Sequence, residues 1–256
     1  MNIIYPAAGL GKRFKDEGIM TPKPLVLAKG VPLLLWAIAN FPLTQDDNIF
    51  VVTLKRDSVP NYFKKYFPVY AKRINFIEID ELTKGPADTV LQVLSKVDAS
   101  EPVIIANTDQ YIFAEMESFL TRVRNKNNDG EIITMRATGN QWSYVTKNSN
   151  GFVSQVAEKK QISNEATVGV YAYSRASNLI WALDQMKKSE DTVNGEYYIA
   201  PSYNYLIKEG HKITTNFIGD NGTAIRCTGT PKDLSYFLED KRISNCADII
   251  LSKKEF

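Results

Sequence analysis

Histidine is almost absent from this sequence: among 256 residues His211 stands alone. That removes zinc sites built on several histidines, the His-Glu-x-x-His helix, and the facial triad of two histidines and a carboxylate. A Ser-His-Asp or Cys-His hydrolase would rest on His211 only, with no Gly-x-Ser-x-Gly elbow beside it. His211 stands in the polar run Lys208-Glu209-Gly210-His211-Lys212, which reads as a solvated turn at a helix end. Cysteine is nearly as scarce. Cys227 and Cys246 form no Cys-x-x-Cys pair, so zinc ribbons and redox motifs are not suggested, and reduced thiols are expected. The longest apolar run, Val31 to Phe41, contains Pro32 and Asn40 and is too short to span a bilayer. The start, Met1 to Pro6, has no basic leader region, so a cytoplasmic protein with no membrane partner is expected. Neither sign of charge dominates: 31 Lys and Arg face 29 Asp and Glu, a net charge of +2 that gives no footprint for nucleic acid.

What is present is an ordinary globular balance, 44% apolar and 23% charged, long enough to bury a substantial core. Short apolar runs at Asn2–Tyr5, Ile49–Leu54, Asn75–Ile79 and Val103–Ala106 alternate with helical patterns at Pro32–Asn40, Ser58–Tyr66 and Ala87–Ser95. That alternation predicts an α/β fold with a Rossmann-like, doubly wound, mostly parallel sheet. The second half changes character. Strands are expected at Ile132–Arg136, Ser143–Thr146, Phe152–Ala157 and Val168–Tyr173, then helices at Ala176–Lys187, Tyr197–Glu209 and around Leu234–Lys241. No repeat or linker interrupts the chain. One domain over residues 1–256 is expected, with two sub-lobes, 1–130 and 131–256.

The first strand runs into Ala7-Ala8-Gly9-Leu10-Gly11-Lys12-Arg13-Phe14. A glycine-rich turn there lies at the carboxyl ends of the strands, where ligands of such sheets bind. Ala8, Gly9 and Gly11 would let backbone N–H groups approach an anion, and Lys12 and Arg13 add charge. Two known phosphate loops fail: a Walker A loop needs glycine at Pro6 and Ser or Thr at Arg13, and the dinucleotide fingerprint needs glycine at Phe14. What remains is Gly-x-Gly-x-Arg followed by Thr21-Pro22-Lys23-Pro24-Leu25. Arg13 can clasp phosphate oxygens bidentately, and Lys23 offers a compact point charge.

The segment Pro6 to Phe14 together with Pro22-Lys23-Pro24 closely resembles the sugar-1-phosphate nucleotidyltransferases, and the resemblance extends along nearly the whole chain. It implies a loop that binds a nucleoside triphosphate, with Arg13 on its β- and γ-phosphates and Lys23 steadying the reacting α-phosphate. Lys84-Gly85-Pro86-Ala87-Asp88-Thr89 resembles the segment that lies against the nucleobase, and Gly85 is the residue expected to admit a base edge or ribose. Asn107-Thr108-Asp109 ends a strand opposite the loop, where Asp109 is placed to hold Mg²⁺; an Asx turn explains the same aspartate without a metal. The resemblance further implies acceptor roles for Glu158 and Lys159, for Gly169 on a strand passing the sugar, and for Glu196.

One departure stands out. Ile225-Arg226-Cys227-Thr228-Gly229-Thr230 resembles the segment that carries a second magnesium aspartate in thymidylyltransferases, but Cys227 takes that place. A thiol is a poor ligand for a hard cation. Asp220 is one substitute, and Arg226 could supply positive charge at the acceptor instead. The implied reaction joins a nucleoside triphosphate to a sugar 1-phosphate or other phosphomonoester with loss of pyrophosphate, in the setting of surface-glycan assembly. A cytidylyltransferase acting on a non-sugar phosphomonoester and a nucleotide-binding regulatory protein are the alternatives. A homo-oligomer is in keeping with the family's habit. The nucleobase is undetermined.

Overall fold

The computed structural model describes residues 1–253. In chain order, β1 (Asn2–Pro6) leads through the glycine loop into α1 (Lys12–Asp16), a 3-10 turn at Lys23–Leu25, the ribbon β2 (Leu27–Ala28) and β3 (Val31–Pro32), and α2 (Leu33–Ile38). Next come β4 (Asn48–Leu54), α3 (Val59–Tyr66), α4 (Pro68–Ala71), β5 (Ile74–Ile79), α5 (Pro86–Leu94), β6 (Val103–Ala106), β7 (Gln110–Ile112) and α6 (Glu117–Arg124). The second half holds β8 (Gly130–Arg136), β9 (Ser143–Lys147), β10 (Val153–Glu158), β11 (Glu165–Tyr173), α7 (Ala176–Lys188) and α8 (Ser202–Lys208). It closes with β12 (Ile213–Asp220), β13 (Ile225–Cys227), α9 (Pro231–Glu239) and α10 (Lys241–Ser252).

The expected α/β sheet is present. It is parallel across β6-β1-β4-β5 and becomes antiparallel where β11 joins β6, with β8 and β9 beside β11. Successive residues of the central strands feed opposite cores: Ile3 and Tyr5 belong to one, Ile4 to the other, and Ile104 and Ala106 oppose Val103 and Ile105. This is the period of two that a strand imposes, with both faces covered. α2, α9 and α10 cover the first face around Trp36 and Phe237, and α5, α7 and α8 cover the second around Tyr173 and Tyr203. Each fully buried large apolar side chain there contributes about 1.5–3 kcal/mol.

β11 is the pivot. Ala166 pairs with Tyr144 of β9, whereas Val170 to Tyr173 pair with Ala106 to Val103 of β6. Between these two partners the strand bends at Gly169, whose φ is +73°, and the Asn107 N–H donates to the Gly169 carbonyl at 2.9 Å. The sheet therefore parts over Thr167 to Gly169, and a cleft opens there.

The expected helix from Tyr197 begins later, at Ser202. The Tyr197 N–H donates to the Lys84 carbonyl (2.7 Å) and its own carbonyl accepts from the Ala87 N–H (3.0 Å), so its backbone is committed to the start of α5. The helix expected over Pro32–Asn40 is shorter, because Pro32 belongs to β3 and Asn40 turns toward β7. β12 was not anticipated: only Ile213 of its eight residues is buried, since it pairs with β8 alone and carries no alternating apolar pattern.

Gly85 sits at the seam between the two halves with φ +112°, and a Cβ there would lie 2.6 Å from the Tyr197 carbonyl oxygen and 2.8 Å from its nitrogen. Neither backbone atom can yield without breaking the paired hydrogen bonds. Gly85→Ala is expected to destabilise the fold by about 1–3 kcal/mol, the scale of an enforced backbone outlier. A denaturant midpoint equal to that of the unmodified chain would show that this seam is slack.

Candidate active site

Two clefts meet at the carboxyl ends of β1 and β6. The smaller, about 310 Å³, is walled by Gly9, Gly11, Lys12, Arg13, Lys23 and the Asn107–Asp109 turn. The larger, about 930 Å³, runs past Glu158, Lys159, Thr167, Gly169, Trp142 and Tyr198 to β13 and α9. Arg13, Pro86, Asn107, Asp109 and Gly229 line both.

The glycine loop and the Pro-Lys-Pro turn are joined by contact. A Cβ on Gly11 would stand 3.2 Å from Lys23 Cβ, so glycine lets the turn close onto the loop. Pro24 and Leu25 are buried and anchor that turn, leaving Lys23 directed into the cleft. Its ammonium donates to Asp109 Oδ2 at 3.4 Å. Gly9 has nothing within 4 Å of an added Cβ and no positive φ. The chain itself does not need glycine there, and what glycine gives is close approach from the cleft side. Arg13 has no carboxylate partner among the described residues, which leaves its fork free for an anion.

Asp109 is fixed through its backbone. The Thr228 N–H donates to the Asp109 carbonyl at 2.6 Å, and β7 pairs with β13 so that Gln110 faces Cys227. Asn40, in the turn after α2, clamps β7, donating to the Gln110 carbonyl (3.2 Å) while its Oδ1 accepts from the Ile112 N–H (2.7 Å).

Along the larger cleft, β9 and β10 hold Ser143 opposite Glu158, and the Ser143 hydroxyl donates to Glu158 Oε2. Burial raises the Glu158 carboxyl above its ordinary value, against that hydrogen bond and the pull of Lys159. Lys159, in a left-handed conformation with φ +53°, places its ammonium 4.3 Å over the Tyr198 ring and donates to the Tyr198 hydroxyl. Tyr198 in turn donates to Glu196 Oε2 at 2.5 Å. Cys227 is a free thiol, pushed up to about 12 by burial and by the nearby Asp109 and Asp233 carboxylates.

Most residues expected from sequence thus converge: Gly9, Gly11, Lys12, Arg13, Lys23, Asp109, Glu158, Lys159, Gly169 and Arg226 all line one or both clefts. Three do not. Ala8 is buried in the sheet core behind the loop. Gly85 turns its open side to the Tyr197 backbone, and Pro86 is the residue that reaches the cleft instead. Glu196 is exposed and meets the site through Tyr198. Asp220, a candidate substitute for Cys227, is exposed and paired with Arg136 at 3.5 Å, outside both clefts. His211 lies in the turn after α8, 3.4 Å from Asp129 and off both clefts. Sequence reasoning missed Gln110, Ser143, Asp233 and Tyr236 on the cleft wall. For Asp233 a signal existed, because Thr230-Pro-Lys-Asp233 is the spacing of a helix-capping box.

With this geometry in hand, comparison with known proteins is informative. The model of the MobA-like NTP transferase domain matches residues 3–176. The bifunctional protein GlmU of Methanocaldococcus jannaschii is 23% identical over 217 residues, covering 82% of this chain and 47% of that protein. The chain thus spans about half the length of the curated relatives it matches. Among solved structures, a nucleoside-diphosphate-sugar pyrophosphorylase from Vibrio cholerae RC9 superposes with a TM-score of 0.81 at 24% identity, covering 94% of this chain and all of that one. The inositol-1-phosphate CTP transferase of T. maritima follows at 0.72 and 14% identity, covering 98% and 96%. These likenesses show a common α/β fold. The chain belongs to the MobA-like NTP transferase domain family, a family of nucleotidyltransferases. No described helix is long and apolar enough to cross a membrane.

Arg226 is held by Asp240 at 2.9 Å, and Asp240 is held in turn by Arg242 at 2.7 Å while capping α10. The Arg242 hydrogen bond, aided by Arg226, holds the Asp240 carboxyl down at about 2. A carboxylate whose pKa is lower folded than unfolded adds stability above its unfolded value, and that contribution fades as pH falls from about 4 toward the folded value. Asp240→Asn keeps a capping oxygen and removes the charge. Thermal melts should place it below the parent at pH 7, with the gap closing near pH 2. A gap of constant size would mean that the charge contributes nothing.

Proposed function

We propose that this chain transfers a nucleotidyl group from a nucleoside triphosphate to a sugar 1-phosphate, releasing pyrophosphate and forming an NDP-sugar. The supporting observation is the meeting of Arg13, Lys23 and Asp109 where a small glycine-walled cleft opens into a larger one lined by Glu158, Lys159 and Trp142. In this reading residues 1–130 mainly bind the nucleotide and 131–256 the acceptor. The triphosphate lies along Gly9 to Arg13, and Arg13 clasps the β- and γ-phosphates. An acceptor phosphate oxygen attacks the α-phosphorus in line. The bond from that phosphorus to the β-bridging oxygen breaks, and pyrophosphate leaves with the electron pair. A phosphomonoester is already largely dianionic at neutral pH, so no general base is required. Positioning and charge neutralisation carry the rate.

Lys23 neutralises the α-phosphate, and Lys159, presented by Tyr198, meets the acceptor phosphate. Glu158 accepts hydrogen bonds from acceptor hydroxyls, and Glu196 acts through the Tyr198 hydroxyl that it holds. Mg²⁺ fits the hard carboxylate oxygens of Asp109 on the wall common to both clefts. When bound, the ion neutralises charge on the reacting phosphates. The likeness to the inositol-1-phosphate CTP transferase of T. maritima favours including CTP and non-sugar phosphomonoesters among the substrates tested.

Pyrophosphate release with Mg²⁺, across five nucleoside triphosphates and a panel of sugar 1-phosphates and other phosphomonoesters, is expected to depend on one acceptor and one base. Silence throughout, with no nucleotide-induced thermal shift, would sink the proposal. Lys23→Ala should lower kcat by about 10²–10³-fold, the scale for removing one transition-state charge contact, with little change in Tm; unchanged turnover would remove Lys23 from the mechanism. Because burial raises the Glu158 carboxyl, acceptor kcat/KM should decline on acidification from above the ordinary carboxylate range. In Glu158→Gln that limb should vanish, and its persistence would assign the titration elsewhere.

A further inference from the structure

Gly229 is not demanded by its own backbone, since its φ lies outside the left-handed region that favours glycine. What glycine supplies there is room. A Cβ would stand 3.3 Å from Asp109 Oδ2 and 3.7 Å from Asp233 Oδ2, between two carboxylates and on the wall shared by both clefts. A methyl group would close that notch.

The two carboxylates arrive from different elements, and both are held. Asp109 is tied to the Gly229 segment by the Thr228 N–H. Asp233 sits in the first turn of α9, where the Thr230 hydroxyl accepts from its N–H at 3.0 Å and donates to its Oδ2 at 2.7 Å. Asp109 has Lys23 beside it, whereas Asp233 has no cationic partner among the described residues. Gln110 adds an independent sign of a ligand. It is 4% exposed, lines the same cleft and follows Asp109 in the chain, and its Nε2 has no hydrogen-bond partner. That amide is a donor without an acceptor, which the oxygen of a metal-held phosphate would satisfy. Cys227, opposite Gln110 in the β7–β13 ladder, offers only a soft thiol.

We propose that Asp109 and Asp233, on either side of Gly229, are the divalent-cation ligands of this chain, with Asp233 supplying the carboxylate that Cys227 lacks. The assignment rests on the nucleotidyltransferase reading. It differs from the site expected from sequence, where Asp109 stood alone or with Asp220. Mg²⁺ needs only one or two protein carboxylates, the remainder of its shell being water and substrate phosphate.

The test is Mn²⁺ binding to the full chain without nucleotide, followed by electron paramagnetic resonance of the free ion. Wild type is expected to bind one ion, and Asp109→Asn and Asp233→Asn each to weaken it by about tenfold or more, since affinity follows ligand charge. Asn at 233 keeps both contacts to Thr230, so Tm should hold. Gly229→Ala should weaken binding equally by filling the notch, and Cys227→Asp in the Asp233→Asn background should restore it. Wild-type affinity in Asp233→Asn, or no Mn²⁺ bound by the parent, overturns the assignment. Acceptor-dependent pyrophosphate release by the parent, measured separately, shows which reading failed: release with an insensitive Asp233→Asn leaves the reaction standing and removes this site. Carboxylate-dependent Mn²⁺ binding with no release under any triphosphate supports the site and removes the reaction.

Discussion

The bend of β11 at Gly169 is the constraint on which the site depends. A strand paired along its whole length with one neighbour would leave no opening in the sheet. Here the strand changes partner from β9 to β6 along one edge, and the stretch between them, Thr167 to Gly169, lines the cleft. The bend is locked by contact. A Cβ at 169 would stand 2.2 Å from the Asn107 side-chain nitrogen, so the end of β6 packs directly against the bare Gly169 backbone. Asn107 is thereby placed, and Asp109 two residues on is brought to the boundary between the two clefts.

The charges differ between the two clefts. Lys12 and Lys23 line the smaller one, the larger one mixes Glu158, Asp233 and Asp240 with Lys159 and Arg226, and Arg13 and Asp109 line both. Lys23 and Asp109 meet at 3.4 Å, both partly exposed, so the pair is a switchable contact rather than a source of fold stability. In the proposed reaction a phosphate entering beside Lys23 competes with Asp109 for the ammonium, and a cation beside Asp109 releases it. That proposed chemistry moves no proton at neutral pH, in keeping with a chain whose single histidine lies off both clefts.

Much of this was legible in the sequence because local rules decide it. The buried strands β1, β4 and β6 carry continuous apolar runs, and their positions follow from them. The glycine loop at the cleft was legible because glycine, lysine and arginine stand in one short segment after a strand. What could not be read was set by long-range pairing. β13 has three residues, and its partner β7 lies more than a hundred residues upstream, so nothing local marks either. Tyr197 follows a helical pattern, yet it gives its N–H and carbonyl to the start of α5. Gly85 was read as room for a base because its partner Tyr197 could not be seen. Asp233 announced a helix cap and gave no sign that the cap faces Asp109.

Arg226 follows from the same long-range geometry. A guanidinium in the larger cleft could have replaced a missing metal charge, as its position beside Cys227 suggested. Its Nε instead meets Asp240, which also pairs with Arg242 while capping α10. One carboxylate between two guanidiniums leaves a net charge of +1, with Arg242 also stacked 3.6 Å over the Phe113 ring and bonded to the Thr223 carbonyl. Arg226 is thereby tied down, and its pairing joins β13 to the junction of α9 and α10. The start of α9 is set separately, by the Thr230 cap that also holds Asp233 across Gly229 from Asp109. The arginine read as a substitute for the cation is instead spent on Asp240, a carboxylate of the same cleft wall.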